Sequence, residues 1–193
     1  MENKTDTGIE KQNKKLKKAG LTIFEMVLFA MLGTLMFSSK MLMEFLPNIH
    51  LLGMFIVTFT VVFRFKALVP IYIYVFLNGI VAGFAPWWIP YLYVWTVLWG
   101  MTMLLPRNMP AKVAMVVYPL VCALHGILFG ILYAPAQAMM FSLNFKQMLV
   151  WIASGAFFDI THCVSNLIAG LLIYPLTILL RKLCDSVQLK ITK

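Results

Sequence analysis

Apolar and polar positions follow one another in long blocks along this chain. Apolar runs of about 20 residues, the length that an α-helix needs to cross a bilayer, are separated by short polar or aromatic connections. The pattern predicts six membrane-spanning helices, at residues 21–43, 49–63, 67–84, 87–105, 112–133 and 148–180. Because the last run is too long for one perpendicular helix, we expect a tilted helix there, or a short interfacial piece leading into a span.

Composition supports the same interpretation. Of the 193 residues, 62% are hydrophobic and 12% are charged, and this charge is about half that of a soluble domain. No segment has the short apolar–polar alternation of a transmembrane β-strand. The predicted fold class is therefore an all-α integral membrane protein, a bundle of six transmembrane helices. We expect a basic cytoplasmic tail at 1–20, the transmembrane domain at 21–183 and a cytoplasmic C-terminal tail at 184–193.

The placement of basic residues predicts the orientation. With six spans, all of the 16 Lys and Arg residues except Lys40 and Lys146 fall on the side of the termini. Cytoplasmic loops collect Lys and Arg, so both termini are predicted to be cytoplasmic. We expect a multi-pass protein of the bacterial plasma membrane, in contact with the lipid bilayer. The basic tail indicates topology or contact with anionic lipid and no nucleic-acid partner, since no nucleic-acid-binding module accompanies it.

Polar residues inside the predicted spans form a second pattern. In "FDITHCVSN", Asp159, His162 and Asn166 are spaced i, i+3, i+7 and share one helical face. At about 1.5 Å of rise per residue, they lie in the outer half of the membrane, as do Asn78 and His125. Intramembrane polar groups usually face a bundle interior or a water-filled cavity. Their shared depth predicts a cup open to the outside, a binding site and not a through-pore.

The candidate substrate-binding residues are Lys40, Glu44, Asn78, Trp87, Trp88, His125, Asp159, His162 and Asn166. Each has a structural alternative. The acid and the imidazole of the last span can pair with each other, the amides can join helices, and His125 can be a satisfied core histidine. Lys40 and Glu44, spaced i, i+4, can form an interfacial ion pair, while the tryptophans suit either stacking on a flat heterocycle or anchoring at the headgroups.

Motifs of known chemistry are missing from the sequence. It contains no GxxxxGK[ST], GxSxG or HExxH, and its three cysteines have no metal-site spacing, so we predict no catalytic residue, metal or cofactor. Small residues do recur four apart, at Ala30, Thr34 and Ser38 and in two GxxxG motifs. Such spacing lets helices approach closely, either inside the bundle or, where the stripe is exposed, against a partner helix.

Taken together, the chain resembles the substrate-binding S components of energy-coupling factor (ECF) transporters. The resemblance covers residues 21–180 and is carried by "FEMVLFAMLGTLMF", "LPNIHLLGMFIVTFTVVF" and "FDITHCVSNLIAGLLIYPL". The connection "FRFKALVP" departs from the Gly-Pro-rich stretch that family members often have between spans two and three.

The resemblance implies a binding protein for a vitamin or related precursor taken from outside. Its partners would be one transmembrane T subunit and two ATP-binding subunits, and Ala30 and Thr34 would face the T subunit. Two alternatives from other classes remain. One is a small integral membrane enzyme with Asp159 and His162 as an acid–base pair, and the other is a solitary facilitator or structural membrane protein.

Overall fold

The structure, a computed structural model, describes residues 21–186. Within that range the regular elements are helices: α1 (Ile23–Leu42), α2 (Leu52–Phe63), α3 (Leu68–Ala82), α4 (Tyr91–Met103), α5 (Ala111–Ile127), α6 (Phe129–Phe141), α7 (Phe145–Gly170) and α8 (Ile173–Ser186). Short 3₁₀-helices at Arg64–Ala67 and Pro86–Trp88 join α2 to α3 and α3 to α4. The predicted N-terminal tail and most of the predicted C-terminal tail lie outside the described residues.

Within residues 21–186, four helical stretches are long and apolar enough to cross a membrane: Ile23–Leu42, Leu52–Ala82, Ala111–Phe141 and Phe145–Gly170. Their outward faces carry large apolar side chains, such as Val27 and Met31 on α1 and Phe157 on α7. A water-soluble protein rarely exposes apolar surface on this scale, whereas a lipid-facing surface requires it. The fold is therefore consistent with a helical membrane protein.

Capping explains where two of the long helices begin. Thr22 accepts a hydrogen bond from the backbone N–H of Glu25, and the Glu25 carboxylate accepts one from the backbone N–H of Thr22. Asn144 and Gln147 form the same reciprocal pair at the start of α7. Such capping boxes satisfy backbone donors that the first helical turn leaves unpaired. They define the N-terminal ends of α1 and α7.

The stretch Leu52–Ala82 is interrupted at Arg64. Its backbone has φ 55° and ψ −119°, a combination that a non-glycine residue rarely adopts. Trp99 holds this bend by donating from Nε1 to the carbonyl of Arg64 at 3.1 Å, and the Arg64 guanidinium donates to the carbonyl of Met103 at 2.8 Å. The chain thus changes course between α2 and α3, close to the boundary predicted between spans two and three.

The last two predicted spans differ from the observed helices. The helix predicted at 112–133 ends at Ile127, and α6 then continues to Phe141. Residues 148–180 are not one tilted helix, because α7 ends at Gly170 and α8 begins at Ile173. Pro175 explains this second break, since proline cannot donate a backbone hydrogen bond and its ring clashes with the carbonyl four residues earlier.

Contacts between helices show the direction in which each one runs. Glu25 near the start of α1 pairs with Lys66 just before α3. About two turns later on both segments, a Cβ on Gly33 of α1 would meet Ile73 of α3. α1 and α3 are therefore parallel. α5 and α7 are antiparallel. Gly126 lies against His162, whereas Pro119, earlier on α5, lies against Gly170, later on α7.

Basic side chains gather at one end of the bundle, which we call the basic end and define by Arg64, Lys66 and Arg181. Lys66 pairs with Glu25 at 2.5 Å, while Arg64 and Arg181 donate to backbone carbonyls at the ends of α4 and α2. The core runs from there along α2, in which every residue except Phe55 is buried. Because α2 is surrounded by other helices, it positions the groups at the opposite end.

Candidate functional site

Three histidines meet at the end of the bundle opposite the basic end. The chain has three histidines in all, and each comes from a different element: His50 from the loop before α2, His125 from α5 and His162 from α7. The ring centroids of His50 and His162 are 5.1 Å apart. Three distant parts of the sequence thus place imidazoles in one small region.

Aromatic rings connect these histidines into one group. Trp95 lies 5.8 Å from His125 and 6.0 Å from His50, and Phe129 lies 4.7 Å from His162, all between ring centroids. Trp95 also contacts Tyr74 at 6.3 Å. We call this group the histidine cluster and define it as His50, Tyr74, Trp95, His125, Phe129 and His162.

Close helix packing brings the α5 and α7 members together. A Cβ on Gly126 would lie 2.8 Å from the backbone carbonyl carbon and oxygen of His162, far inside van der Waals contact. Only glycine therefore allows the two backbones to approach to this distance. One turn along each helix, the Asn166 amide nitrogen donates to the carbonyl of Cys122 at 3.2 Å. The sequence builds this contact with small residues on α5 and polar residues on α7.

Unpaired polar atoms concentrate in the cluster and beside it. Within residues 21–186, the buried side-chain nitrogen and oxygen atoms without a hydrogen-bond partner are His50 Nδ1, Tyr74 Oη, Asn78 Oδ1, Trp95 Nε1, His125 Nδ1, His162 Nδ1 and Asn166 Oδ1. Asn78 is one turn from Tyr74 on α3, and Asn166 is one turn from His162 on α7. Buried polar atoms in folded proteins are normally paired. Their grouping marks the part of the bundle interior that is polar and makes it the candidate site.

Existing hydrogen bonds fix the polarity of several of these atoms. His125 Nε2 lies 3.0 Å from the carbonyl of Val94, which can only accept, so Nε2 carries the hydrogen and Nδ1 of the neutral ring is an acceptor. The Asn166 amide nitrogen donates to the carbonyl of Cys122, so the unpaired atom of this amide is Oδ1, which is an acceptor. Trp95 Nε1 can only donate. The cluster therefore offers acceptors and a donor of known position.

His50 is neutral near neutral pH. Burial lowers the pKa of its imidazole from 6.5 to about 3, and the neighbouring His162 contributes in the same direction. No member of the cluster is a Lys, Arg, Asp or Glu residue. The site is consequently polar and aromatic without a formal charge of its own.

The predicted site residues separate into two groups. His125, His162, Asn78 and Asn166 lie in or beside the histidine cluster, and each is almost completely buried. Asp159 lies at its edge, where Oδ1 accepts from the backbone N–H of Gly130 at 2.9 Å. Asp159 therefore satisfies an N–H at the start of α6, and the described residues include no ion pair between it and His162.

The other predicted residues lie outside the cluster. Lys40 on α1 and Glu44, just after α1 ends, form an ion pair at 2.9 Å, which matches the structural alternative for this pair. Trp88 donates from Nε1 to the carbonyl of Val75 at 2.8 Å and packs edge-on against Phe84. Trp87 contacts Tyr91 at 5.6 Å between ring centroids. Because Tyr91 in turn contacts Trp95, one ring separates Trp87 from the cluster.

Sequence reasoning missed four members of the cluster, His50, Tyr74, Trp95 and Phe129. His50 was overlooked because it lies in a loop, although it is one of only three histidines in the chain. Tyr74, Trp95 and Phe129 lie in apolar runs, where aromatic residues are expected as core or as interfacial anchors. The recurrence of a rare residue type in distant segments was the one available indication.

Neither a metal centre nor a match to known proteins defines the site further. In the described part of the chain, no group of three or more His, Cys, Asp or Glu side chains is arranged to hold a metal ion. A groove of about 530 Å³ runs between the loop that carries His50 and α7, lined mainly by apolar residues with Thr161 and Ser165. Comparison with protein families, with curated proteins and with solved structures finds no match to this chain.

Proposed function

We propose that this protein is the substrate-binding S component of an ECF-type importer in the bacterial cell membrane. It binds a vitamin or related precursor from the outside and delivers it with a T subunit and two ATP-binding subunits. Six membrane passes with cytoplasmic termini put the basic end at the inner face. The histidine cluster then lies toward the outer face, where an extracellular ligand arrives.

The observation that carries this proposal is the convergence of unpaired buried polar atoms at one end of an otherwise apolar bundle. Leaving such an atom unpaired costs about 1–3 kcal/mol, so a group of them is retained only where a ligand or ordered water pairs with it. Between this group and the basic end the core is apolar, with Phe29, Val57, Ile71 and Leu98 fully buried. Such a core offers no polar path through the bundle, which favours a binding protein over a channel.

An exposed stripe on α1 supports the need for a partner. Ala30 and Thr34 are exposed, and the Thr34 hydroxyl is turned back onto the carbonyl of Ala30 at 2.8 Å. The buried face of α1 is a different one, in which Gly33 approaches Pro70 and Ile73 of α3. A smooth outward surface of small side chains lets another helix approach closely, as the T subunit would in this proposal.

The test combines substitution of this stripe with reconstitution. Ala30→Leu with Thr34→Leu should leave thermal stability and ligand binding near those of the unchanged protein, because both residues are exposed. The same double substitution should abolish co-purification with a T subunit and ATP-dependent uptake into proteoliposomes. The matched control is Val27→Leu with Met31→Leu, which changes two exposed α1 residues that are already large.

Two results would contradict the proposal. Uptake that persists at the unchanged rate in the Ala30→Leu, Thr34→Leu protein would remove the docking role of the stripe. Turnover of a membrane-soluble substrate by the isolated protein, lost in His162→Ala, would instead establish the enzyme alternative.

A further inference from the structure

A second group of polar side chains lies at the basic end of the bundle, away from the histidine cluster. It joins residues from three segments that are far apart in the sequence: Arg64 directly after α2, Tyr118 on α5, and Tyr174 and Arg181 on α8. We call these four residues the arginine–tyrosine group. Its members are two guanidiniums and two phenols, all of which can donate hydrogen bonds.

Contacts around the last turn of α2 bring the group together. The Arg181 guanidinium donates to the carbonyl of Val61 at 3.4 Å, and Arg64 follows Val61 by about one helical turn. The phenol of Tyr118 lies within electrostatic range of both guanidiniums and of Tyr174. Tyr174 and Arg181 are spaced i, i+7, so they share one face of α8. The four side chains therefore lie together around the end of α2.

Close packing of α5 against the junction of α7 and α8 holds the two tyrosines there. A Cβ on Gly170, at the end of α7, would lie 2.7 Å from the Cα of Pro119, which is the residue after Tyr118. Tyr118 is therefore beside the start of α8, where Tyr174 is in the first turn. Tyr118 is buried and Arg181 is exposed, so the group extends from the core to the surface.

The group has many more donors than acceptors. A guanidinium carries five N–H donors and a phenol one, and each guanidinium uses one of its donors on a backbone carbonyl. Among residues 21–186, the two ion pairs are made by Lys66 and Lys40, so neither guanidinium is paired with a carboxylate, and Asp185, one turn after Arg181, is not paired with it. Such a set of cationic and phenolic donors is suited to an oxyanion, above all a phosphate.

Exposed apolar side chains flank the group and indicate where that phosphate comes from. Phe65, directly after Arg64, is 70% exposed, and its ring centroid is 5.6 Å from that of Trp99. Leu104, directly after the residue whose carbonyl accepts from Arg64, is 87% exposed. A soluble phosphate gains nothing from apolar side chains beside it, whereas a lipid carries acyl chains next to its phosphate. Basic sites at the ends of transmembrane helices bind lipid headgroups in this way, while cations that only set topology need no such arrangement.

We propose that the arginine–tyrosine group binds the phosphate of an anionic membrane lipid such as phosphatidylglycerol. The guanidiniums contact the non-bridging phosphate oxygens, and the phenol hydroxyls donate to the same headgroup. Phe65 and Leu104 contact the acyl chains where they leave the headgroup. The site does not depend on the transport function, because it lies at the opposite end of the bundle from the histidine cluster and requires only a bilayer.

The experiment compares two lipids that differ only in their headgroups. The full-length protein in detergent, in about 0.15 M ammonium acetate, is titrated with dioleoyl-phosphatidylglycerol or dioleoyl-phosphatidylcholine, and bound lipid is measured by native mass spectrometry. The choline cation of the second lipid offsets its phosphate and is repelled by the guanidiniums. We therefore expect phosphatidylglycerol to bind at least about 10-fold more tightly.

Variants connect that preference to the group. Arg64→Gln with Arg181→Gln removes two charges, keeps an amide that can donate to the same carbonyls, and should bring the affinity for phosphatidylglycerol down to that for phosphatidylcholine. The matched control is Lys112→Gln with Lys182→Gln, which removes two exposed charges at the same end and should keep the preference. Tyr118→Phe removes one hydroxyl and should reduce the preference by about 2- to 10-fold.

Three results would overturn the inference. The first is equal affinity of the unchanged protein for the two lipids. The second is an equal loss of preference in the lysine control, since net charge alone would then attract the lipid. The third uses glycerol 3-phosphate, which has the phosphate without acyl chains: if it raises the melting temperature as much as phosphatidylglycerol does, the site takes a soluble phosphate and not a lipid. If the double arginine variant does not fold, Tyr118→Phe decides, because a reduced preference supports the site and an unchanged preference refutes it.

Discussion

Replacing Gly126 with alanine tests the helix contact that assembles the site. The added Cβ would lie 2.8 Å from the backbone carbonyl of His162 and 2.9 Å from the backbone nitrogen of Cys163. A flexible side chain could rotate away, but the backbone of α7 cannot. α5 and α7 must therefore move apart, and His162 would move away from the rest of the histidine cluster.

The size of the effect follows from two opposing contributions. Overpacking a well-packed contact costs about 1–3 kcal/mol, while replacing glycine by alanine inside a helix contributes about 1 kcal/mol of stability. Gly155→Ala on α7 isolates the second contribution, because a Cβ there would have no atom within 4 Å. We expect Gly126→Ala to be less stable than Gly155→Ala by about 1–3 kcal/mol.

The assay is thermal unfolding of the purified variants in one detergent, followed by binding of the co-purified ligand. A difference of 1 kcal/mol corresponds to about 2–4 °C in a protein of this size. Gly126→Ala should also bind ligand more weakly, since it displaces His162, whereas Gly155→Ala should not. Equal melting temperatures and equal binding in the two variants would refute the close α5–α7 contact as the element that positions the site.

Two further predictions concern Asp159 at the edge of the cluster and His50 within it. Asp159→Leu should lower stability by about 1–3 kcal/mol by leaving the N–H of Gly130 unpaired, and Asp159→Asn should restore most of it, since an amide oxygen still accepts; equal loss in both variants would instead assign the role to the charge. Burial lowers the pKa of His50 from 6.5 to about 3, so the unfolded chain takes up a proton between those values that the folded protein does not. Stability should therefore be fully present above pH 6.5 and fall by up to about 1.4 kcal/mol per pH unit as the pH drops toward 3. His50→Phe should reduce that slope by the part that His50 contributes, as measured in denaturant titrations at several pH values, and an unchanged slope would contradict the burial of His50.

The sequence by itself predicted an all-helical chain with helices of membrane-spanning length. Apolar blocks of membrane-spanning length require helices, because no water is present in a bilayer to pair with exposed backbone groups. The first predicted span, at 21–43, agrees with α1 to within two residues, since the capping box at Thr22 and Glu25 is a local feature. The shared face of His162 and Asn166 was likewise readable from helical periodicity.

Only the tertiary structure decided which polar residues meet. Asp159 and His162 are three residues apart on one helix, and both contact the start of α6, at Gly130 and Phe129, but His162 also contacts His50 from a distant loop. Spacing along one helix gives the face of a side chain but not the element packed against that face. The same reason explains why His50 was missed: its position beside His162 depends on how a loop folds over the bundle, and periodicity carries no information about loops.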